Sequence, residues 1–483
     1  MILLKNIKKL FSNKTYSEEK MVKDIYTALL RRLPEPDAVE YCSKMIADGR
    51  LCEVLNFILE SDEFNRAYLE GTEPFSLIHP VDMVYKPVDI FIHIPKAAGT
   101  SLYSMLVRAF GERYITPPFI RLSSKPPSWV YRYNLLFGHF DYDEIMLLIM
   151  QQNKRLFTFL RDPVKRLIST YYYWQSQDTK VKSLDELLIA NKLNIKEFFT
   201  DQDVIEKMHF FNEITRYVIG FGAWKEWKER YKSLKNKDEI GRFIEDEVRG
   251  KVRERLKEFT FIGLQEDFER STRALFYVLG KDYPGIVRTN VTSENMNKWG
   301  FKKIEREEIT PEVRDALENI TRLDRVIYDE GKKIYLDFVR KLSEISAIPF
   351  SIDFSSGGNS GRFIAKGFCG VEPWGTWSSG KEAAIAFNLA ETAEKPKFMK
   401  LYFNILTRNS YSQTFEFYLN DKLLDKKTYN VEYDELKLDI SNYAKRENIL
   451  TIKMLNAVSP KALGINEDTR ELGIGLVKVE LFR

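Results

Sequence analysis

Two short stretches of this chain carry residue types that hold an anion. In Pro95-Lys96-Ala97-Ala98-Gly99-Thr100-Ser101 a lysine is set among residues small enough for backbone N–H groups to converge on one point. In the stretch from Arg161 to Ser169, a guanidinium whose fork matches phosphate with paired, charge-assisted bonds is followed by a serine able to donate its hydroxyl. The first stretch lacks the Gly-Lys-Ser/Thr ending of a Walker A loop, because Lys96 precedes Gly99 by three positions. Elsewhere the reactive inventory is thin. Histidine occurs four times, at His79, His93, His139 and His209. Cys42, Cys52 and Cys369 cannot all pair within one chain and show no metal-ligand spacing.

Each stretch needs elements to position it. Val88 to Ile94 is an apolar, β-branched run that suits a buried strand, and Pro95 ends it. Thr100 and Ser101 are read as caps of a following helix whose apolar face is Leu102, Leu106, Val107 and Phe110. Strand, tight loop and helix N-terminus make an anion site, since orphan N–H groups and the helix dipole both favour negative charge. Arg155 to Leu160 reads as a second buried strand, which sets Arg161 at a strand's carboxyl end, where open α/β sheets bind ligands. Asp162 suits the cap and Pro163 the first turn of the next helix. Leu135-Leu136-Phe137 is a short strand-like run with Gly138-His139 directly after it, and Phe259 to Gly263 is another. Strand-like and helix-like segments alternate from about 85 to 349, which argues for α/β with a mainly parallel sheet.

The run His93-Ile94-Pro95-Lys96-Ala97-Ala98-Gly99-Thr100-Ser101-Leu102 resembles the phosphosulfate loop of sulfotransferases that use phosphoadenosine phosphosulfate (PAPS). The nearest branch is that of carbohydrate O-sulfotransferases related to the enzymes that sulfate hexuronic acids. The resemblance implies a P-loop-like sulfotransferase core, PAPS as donor, phosphoadenosine phosphate as product, and no metal. Pro95, Lys96, Ala97, Ala98, Gly99, Thr100 and Ser101 would then bind the phosphosulfate, with Lys96 neutralising charge on the leaving oxygens. In the family an Arg-Asp-Pro…Arg…Ser…Tyr-Tyr segment binds the ribose phosphate, and Arg161 and Ser169 match it. The acceptor hydroxyl needs a base, and His139 is the candidate, since imidazole titrates near working pH. His139 matches the second histidine of a family His-Gly-His segment whose first is Phe137 here. Asp141 and Asp143 stand behind it as alternative bases. His93 is read as packing. The segment Asn212 to Arg216 after His209 resembles one near the family's acceptor cleft, and the loop Asn290 to Trp299 is read against the adenine.

The 483 residues, 44% hydrophobic and 30% charged, suffice for roughly three domains. Net charge is +4, and Lys5, Lys8, Lys9 and Lys14 already account for four positives, so the rest is near neutral and nucleic acid is a poor partner. Residues 1–14 read as a basic amphipathic leader, a docked segment or at most a peripheral membrane contact. Residues 15–72 read as an all-α module resembling small phycobilisome-linker-like helical modules, which implies protein contacts. The sulfotransferase domain is placed at 85–349, a linker at 355–361 (SSGGNSG), and an all-β sandwich, from its period-two alternation, at 362–483. Phe368, Trp374 to Ser378 and Asp468 to Gly473 resemble an accessory β-domain of bacterial O-antigen and lipopolysaccharide biosynthesis proteins. Trp374 and Trp377 suit either sugar stacking or packing.

No stretch is long and apolar enough to span a bilayer and no secretory signal is visible, which with the cysteine usage points to the cytoplasm, where PAPS is made. The leading expectation is a bacterial PAPS-dependent O-sulfotransferase acting on a surface polysaccharide or its lipid-linked precursor. A degenerate glycan-binding or assembly scaffold is the alternative. A P-loop kinase is a third, against which the missing Gly-Lys-Ser/Thr counts.

Overall fold

The computed structural model describes residues 17–30, 33–59, 61, 88–117, 133–148, 154–177, 185–207, 212–286, 304–408 and 411–483. The leader at 1–14, His79, His209 and the adenine loop at 290–299 lie outside these residues. The chain divides into two compact units, Met1–Phe91 with Arg113–Leu156, and Ile92–Glu112 with Phe157–Arg483.

In the first unit three helices, α1 (Glu18–Leu30), α2 (Pro36–Ala47) and α3 (Leu51–Leu59), come first. Pro36 opens α2 where its missing N–H is harmless, and Gly49 takes a φ of 79° in the turn to α3. Val22, Ile25, Cys42, Met45, Val54 and Ile58 recur at helical spacing and share one buried core. The unit also holds β2 (Leu135–Gly138), α5 (Tyr142–Leu148) and most of β1 (Val88–Ile92). Phe91 and Phe137 stack at 5.1 Å, and Arg155 makes a bidentate pair with Asp89 at 2.6 Å.

Strands β1, β2, β3 (Lys154–Leu160) and β4 (Phe259–Leu264) form a four-stranded parallel sheet in the order β2-β1-β3-β4. Every residue of β1 and of β2 is buried, the pattern of strands covered on both faces.

In the second unit β1 leads into α4 (Gly99–Phe110) and β3 into α6 (Pro163–Gln175). Later come α7 (Glu213–Ile219), α8 (Phe268–Val278) and the 21-residue α9 (Arg322–Leu342). A polar knot is buried here. Arg166, fully buried, pairs with Glu213 at 2.6 Å, while Asp324 accepts from Ile214 N, Thr215 N and Thr215 Oγ1 at 2.8–3.1 Å. Asn212, in left-handed backbone at φ 50°, takes Leu323 N and Asp324 N on its Oδ1. The segment Asn212 to Arg216, given no role from sequence, therefore ties α7 to α9 and to α6.

The β-rich part is two sheets on one core. Strands β13 (Tyr433–Asp439), β10 (Phe398–Ile405), β15 (Ile474–Phe482) and β6 (Phe350–Asp353) follow one another in the first. Strands β12 (Lys422–Tyr429), β11 (Gln413–Leu419), β14 (Glu447–Met454), β9 (Glu382–Leu389) and β5 (Glu344–Ile345) do so in the second, with β7 (Ile364–Lys366) paired to β9 there and β8 (Thr376–Trp377) paired to β15 in the first. Leu401 and Phe403 from one sheet meet Phe415, Phe417 and Ile452 from the other in a single buried cluster. Asn420 and Asp421, both at positive φ, make the tight β11–β12 turn. The sheets begin before the glycine-serine stretch, since β5 pairs β9 and β6 pairs β15. A linker at 355–361 joining two domains is corrected accordingly. Gly357 supplies a φ of 76°, and Ser355 and Asn359 hydrogen-bond to Asp353, so small residues there serve a turn inside the β-rich part.

Candidate active site

The loop after β1 departs from the sequence expectation in one respect. Helix α4 starts at Gly99, so Thr100 and Ser101 lie inside its first turn and do not cap it. The cap position falls to Ala98, which has left-handed backbone (φ 64°) and no side-chain acceptor. Among the described residues the first-turn N–H groups of Gly99, Thr100 and Ser101 thus have neither intrahelical nor capping partners, the condition for anion binding. Lys96 is also left-handed, at φ 66°. Two non-glycine residues in that region within three positions mark a loop held in shape by its surroundings. A Cβ at Gly99 would overlap the His93 imidazole, so the ring packs against this glycine and would have to shift for any larger residue.

Arg161 leaves β3 at its carboxyl end, and its Nη1 donates to the Lys96 carbonyl at 2.9 Å. Its Nε is buried with no hydrogen-bond partner among the described residues. The Lys96 ammonium lies 3.8 Å from the centroid of the Tyr173 ring. Burial first, and the Arg161 charge second, lower the Lys96 titration to about 8. Burial is also the main cause that lowers Arg161, partly opposed by the Glu266 carboxylate. Tyr173 sits one helical turn beyond Ser169 on α6, so both side chains share a face of that helix. The structure therefore brings Lys96, Arg161 and the Ser169 face of α6 into one neighbourhood.

Helix α6 is held in place at its start. Asp162 caps it by accepting from Lys165 N at 3.0 Å and also binds Arg325 Nη1 at 2.8 Å, while its own N–H donates to Glu266. Farther along, Tyr171 Oη donates to Glu307, which also accepts from Ile195 N. Tyr173 and Glu307 were missed from sequence. The four-residue step from Ser169 was a usable signal for Tyr173; nothing local marks Glu307, whose partners are more than 110 positions away.

His139 follows β2 directly and is half-buried, in the first unit. Phe137, two positions before it, is fully buried against Phe91. Thr116 Oγ1 bridges the Phe137 backbone, donating to its carbonyl and accepting its N–H, both at 2.7 Å. Asp141, an alternative base from sequence, caps α5 by accepting from Glu144 N at 2.9 Å. Trp374 and Trp377 meet edge-on at 5.3 Å and pack on Gly475, where a Cβ would touch both rings.

A parallel sheet with cations and helix N–H groups gathered after two strand ends is an α/β arrangement chemically suited to an anion. The profile of the sulfotransferase family matches residues 83–335, and the chain belongs to that family. The family is one of sulfotransferases. No curated protein matches.

Among solved structures the chain is similar to an acetyl xylan esterase (Est2A) from the rumen bacterium Butyrivibrio proteoclasticus, at 9% identity over 21% of this chain and 24% of that one, TM-score 0.16. It is also similar to the CBM36-1 domain of a multidomain xylanase from the hindgut metagenome of Trinervitermes trinervoides (5%, 28% and 96%, TM-score 0.17). A family 35 carbohydrate binding module from Clostridium thermocellum is similar too (10%, 22% and 76%, TM-score 0.16). The chain spans 24% of the first of these, and at such scores none bears on function.

Proposed function

We propose that the protein transfers a sulfuryl group from PAPS to a hydroxyl of a bacterial surface glycan or its lipid-linked precursor, in the cytoplasm. One observation carries the reading: Arg161 is bonded to the Lys96 backbone while the Lys96 ammonium lies over α6 one turn past Ser169. A donor with a phosphosulfate at one end and a ribose phosphate at the other needs two cationic groups close together. The residues fit such a ligand on two counts, the unpartnered Arg161 Nε and the uncapped first turn of α4.

Pro95 to Ser101 would hold the phosphosulfate, and Arg161 with Ser169 the ribose phosphate. When bound, PAPS supplies the sulfuryl group and a leaving phosphate. The protein's own work is positioning and charge stabilisation, as in phosphoryl transfer. Lys96 presents its ammonium to the charge that develops on leaving, and the N–H groups of Gly99, Thr100 and Ser101 share it. His139 takes the proton of the acceptor hydroxyl on its imidazole. The N-terminal helices are proposed as a protein-contact module.

Thermal stabilisation tests the donor. Phosphoadenosine phosphate at a hundredfold excess over its Kd should stabilise the protein by about 2.7 kcal/mol, and ATP with magnesium should do much less. Response only to ATP with magnesium would sink the proposal; response to neither would favour the scaffold, and transfer of labelled sulfate to the cell's own polysaccharides tests the acceptor.

A further inference from the structure

Helix α6 carries three consecutive tyrosines, and each has a different use. Tyr171 is fully buried and bonded to Glu307. Tyr172 accepts from Glu307 N at 2.8 Å. Tyr173 is the exposed one, with 36% of its surface open, so core packing does not account for an aromatic ring there. Its hydroxyl is hydrogen-bonded to the side chain of the buried Gln177, which anchors the ring from its far end. What the ring touches instead is a cation.

Lys96 is held at both ends. Arg161 donates to its carbonyl at 2.9 Å, and its ammonium lies over the Tyr173 ring, 3.8 Å from the centroid. Among the described residues no carboxylate pairs with that ammonium. Two groups face it. Arg161, from the end of β3, is a like charge, and the Tyr173 hydroxyl on α6 stays neutral, because burial pushes its titration up. Loss of water and the neighbouring guanidinium both favour the uncharged amine. Among the described residues the ring face is the contact that favours the cation, through its negative quadrupole. An ammonium has three donors, so one turned to the ring leaves two for the oxygens of a bound anion.

We propose that Tyr173 is the positioning residue of Lys96, its ring face holding the ammonium over α6 as a cation ready for the anion that binds the loop. The inference rests on the reading of Lys96 as the group that meets the donor, and names what holds that group in place. Ser169, one turn earlier on the same helix face, sits at the other end of that donor. One face of α6 then serves both ends of the ligand, binding one directly and the other through Lys96.

The test uses the full chain and the variants Tyr173→Leu and Tyr173→Phe, with Tyr173→Gln as a second ringless one. Competitive labelling of amines with acetic anhydride, read at Lys96 by mass spectrometry from pH 6 to 10, follows the ammonium directly and needs no donor. Loss of the ring should move its midpoint about one pH unit lower, the size of a desolvated cation–π contact. Tyr173→Phe keeps the ring face and should keep the parent midpoint. Calorimetry with phosphoadenosine phosphate should show Tyr173→Leu binding about threefold more weakly at pH 7.5, with the gap closing towards pH 6. A parent midpoint in both ringless variants overturns the proposal. So does a shift in Tyr173→Phe as large as in Tyr173→Leu, or a loss of affinity that is the same at every pH. Shifted labelling in a protein that does not bind phosphoadenosine phosphate would leave the ring contact standing and remove the donor reading.

Discussion

The Lys96 ammonium lies over the Tyr173 ring and beside Arg161, and loss of water there, with the like charge second, sets its titration near 8. An anionic donor favours the charged form, so its binding raises that titration. Donor affinity should therefore be full below about pH 8 and fall as pH rises through it; a flat affinity from pH 7 to 9 contradicts this assignment. Lys96→Ala should cost about 10²–10³ in kcat and weaken donor binding. His139→Ala should cost about 10²–10⁴ in rate with donor affinity unchanged. Full activity in His139→Ala would move the base elsewhere. At this scale the sequence shows the reactive side chains, since lysine, arginine and histidine declare themselves by type. It does not show Arg161 on the Lys96 carbonyl or Lys96 on Tyr173, because both contacts join positions at least 65 apart.

The strand–loop–helix from β1 through α4 was legible because an apolar run, a proline and an amphipathic period succeed one another. Its cap was not. Thr100 and Ser101 are good cap residues by type, yet with the left-handed Ala98 at the cap the helix starts two positions earlier than a Thr100 cap needs and three earlier than a Ser101 cap needs. What shapes the loop is packing of His93 against Gly99. Gly99→Ala should thus displace the ring and weaken binding of phosphoadenosine phosphate by roughly tenfold or more, while the helix itself gains from alanine by up to about 1 kcal/mol. His93→Ala added to it should restore part of the binding, as calorimetry would show. The α6 start was legible in full: Asp162 and Pro163 stand in the order a cap and first turn require.

The β-rich part was readable from its alternating residues, but its entry point was hidden. Two and four residues make β5 and β6, too short for periodicity to show, and the glycine-serine composition drew the boundary to the wrong side of them. Its attachment to α8 is polar and buried. Arg273 donates to the carbonyls of Phe368 and Cys369 and lies 3.9 Å from the Tyr283 ring, while Glu269 accepts from Gly367 N and Phe368 N. A chain ended at Pro349 should then lose roughly 5–10 °C in Tm, a few kcal/mol at about 2–4 °C each. An unchanged Tm would mark the β-rich part as a separable passenger.

The joint between α9 and β5 has a consequence for motion. Only Ser343 stands between Leu342 and Glu344, and it is stapled by Asn388 and, through the flanking carbonyls, by Arg362. Hinged closure needs a few residues free to absorb large backbone rotations, and this junction has none to spare. Bending there would first have to break those bonds, so the long helix and the sheet it enters swing together or not at all.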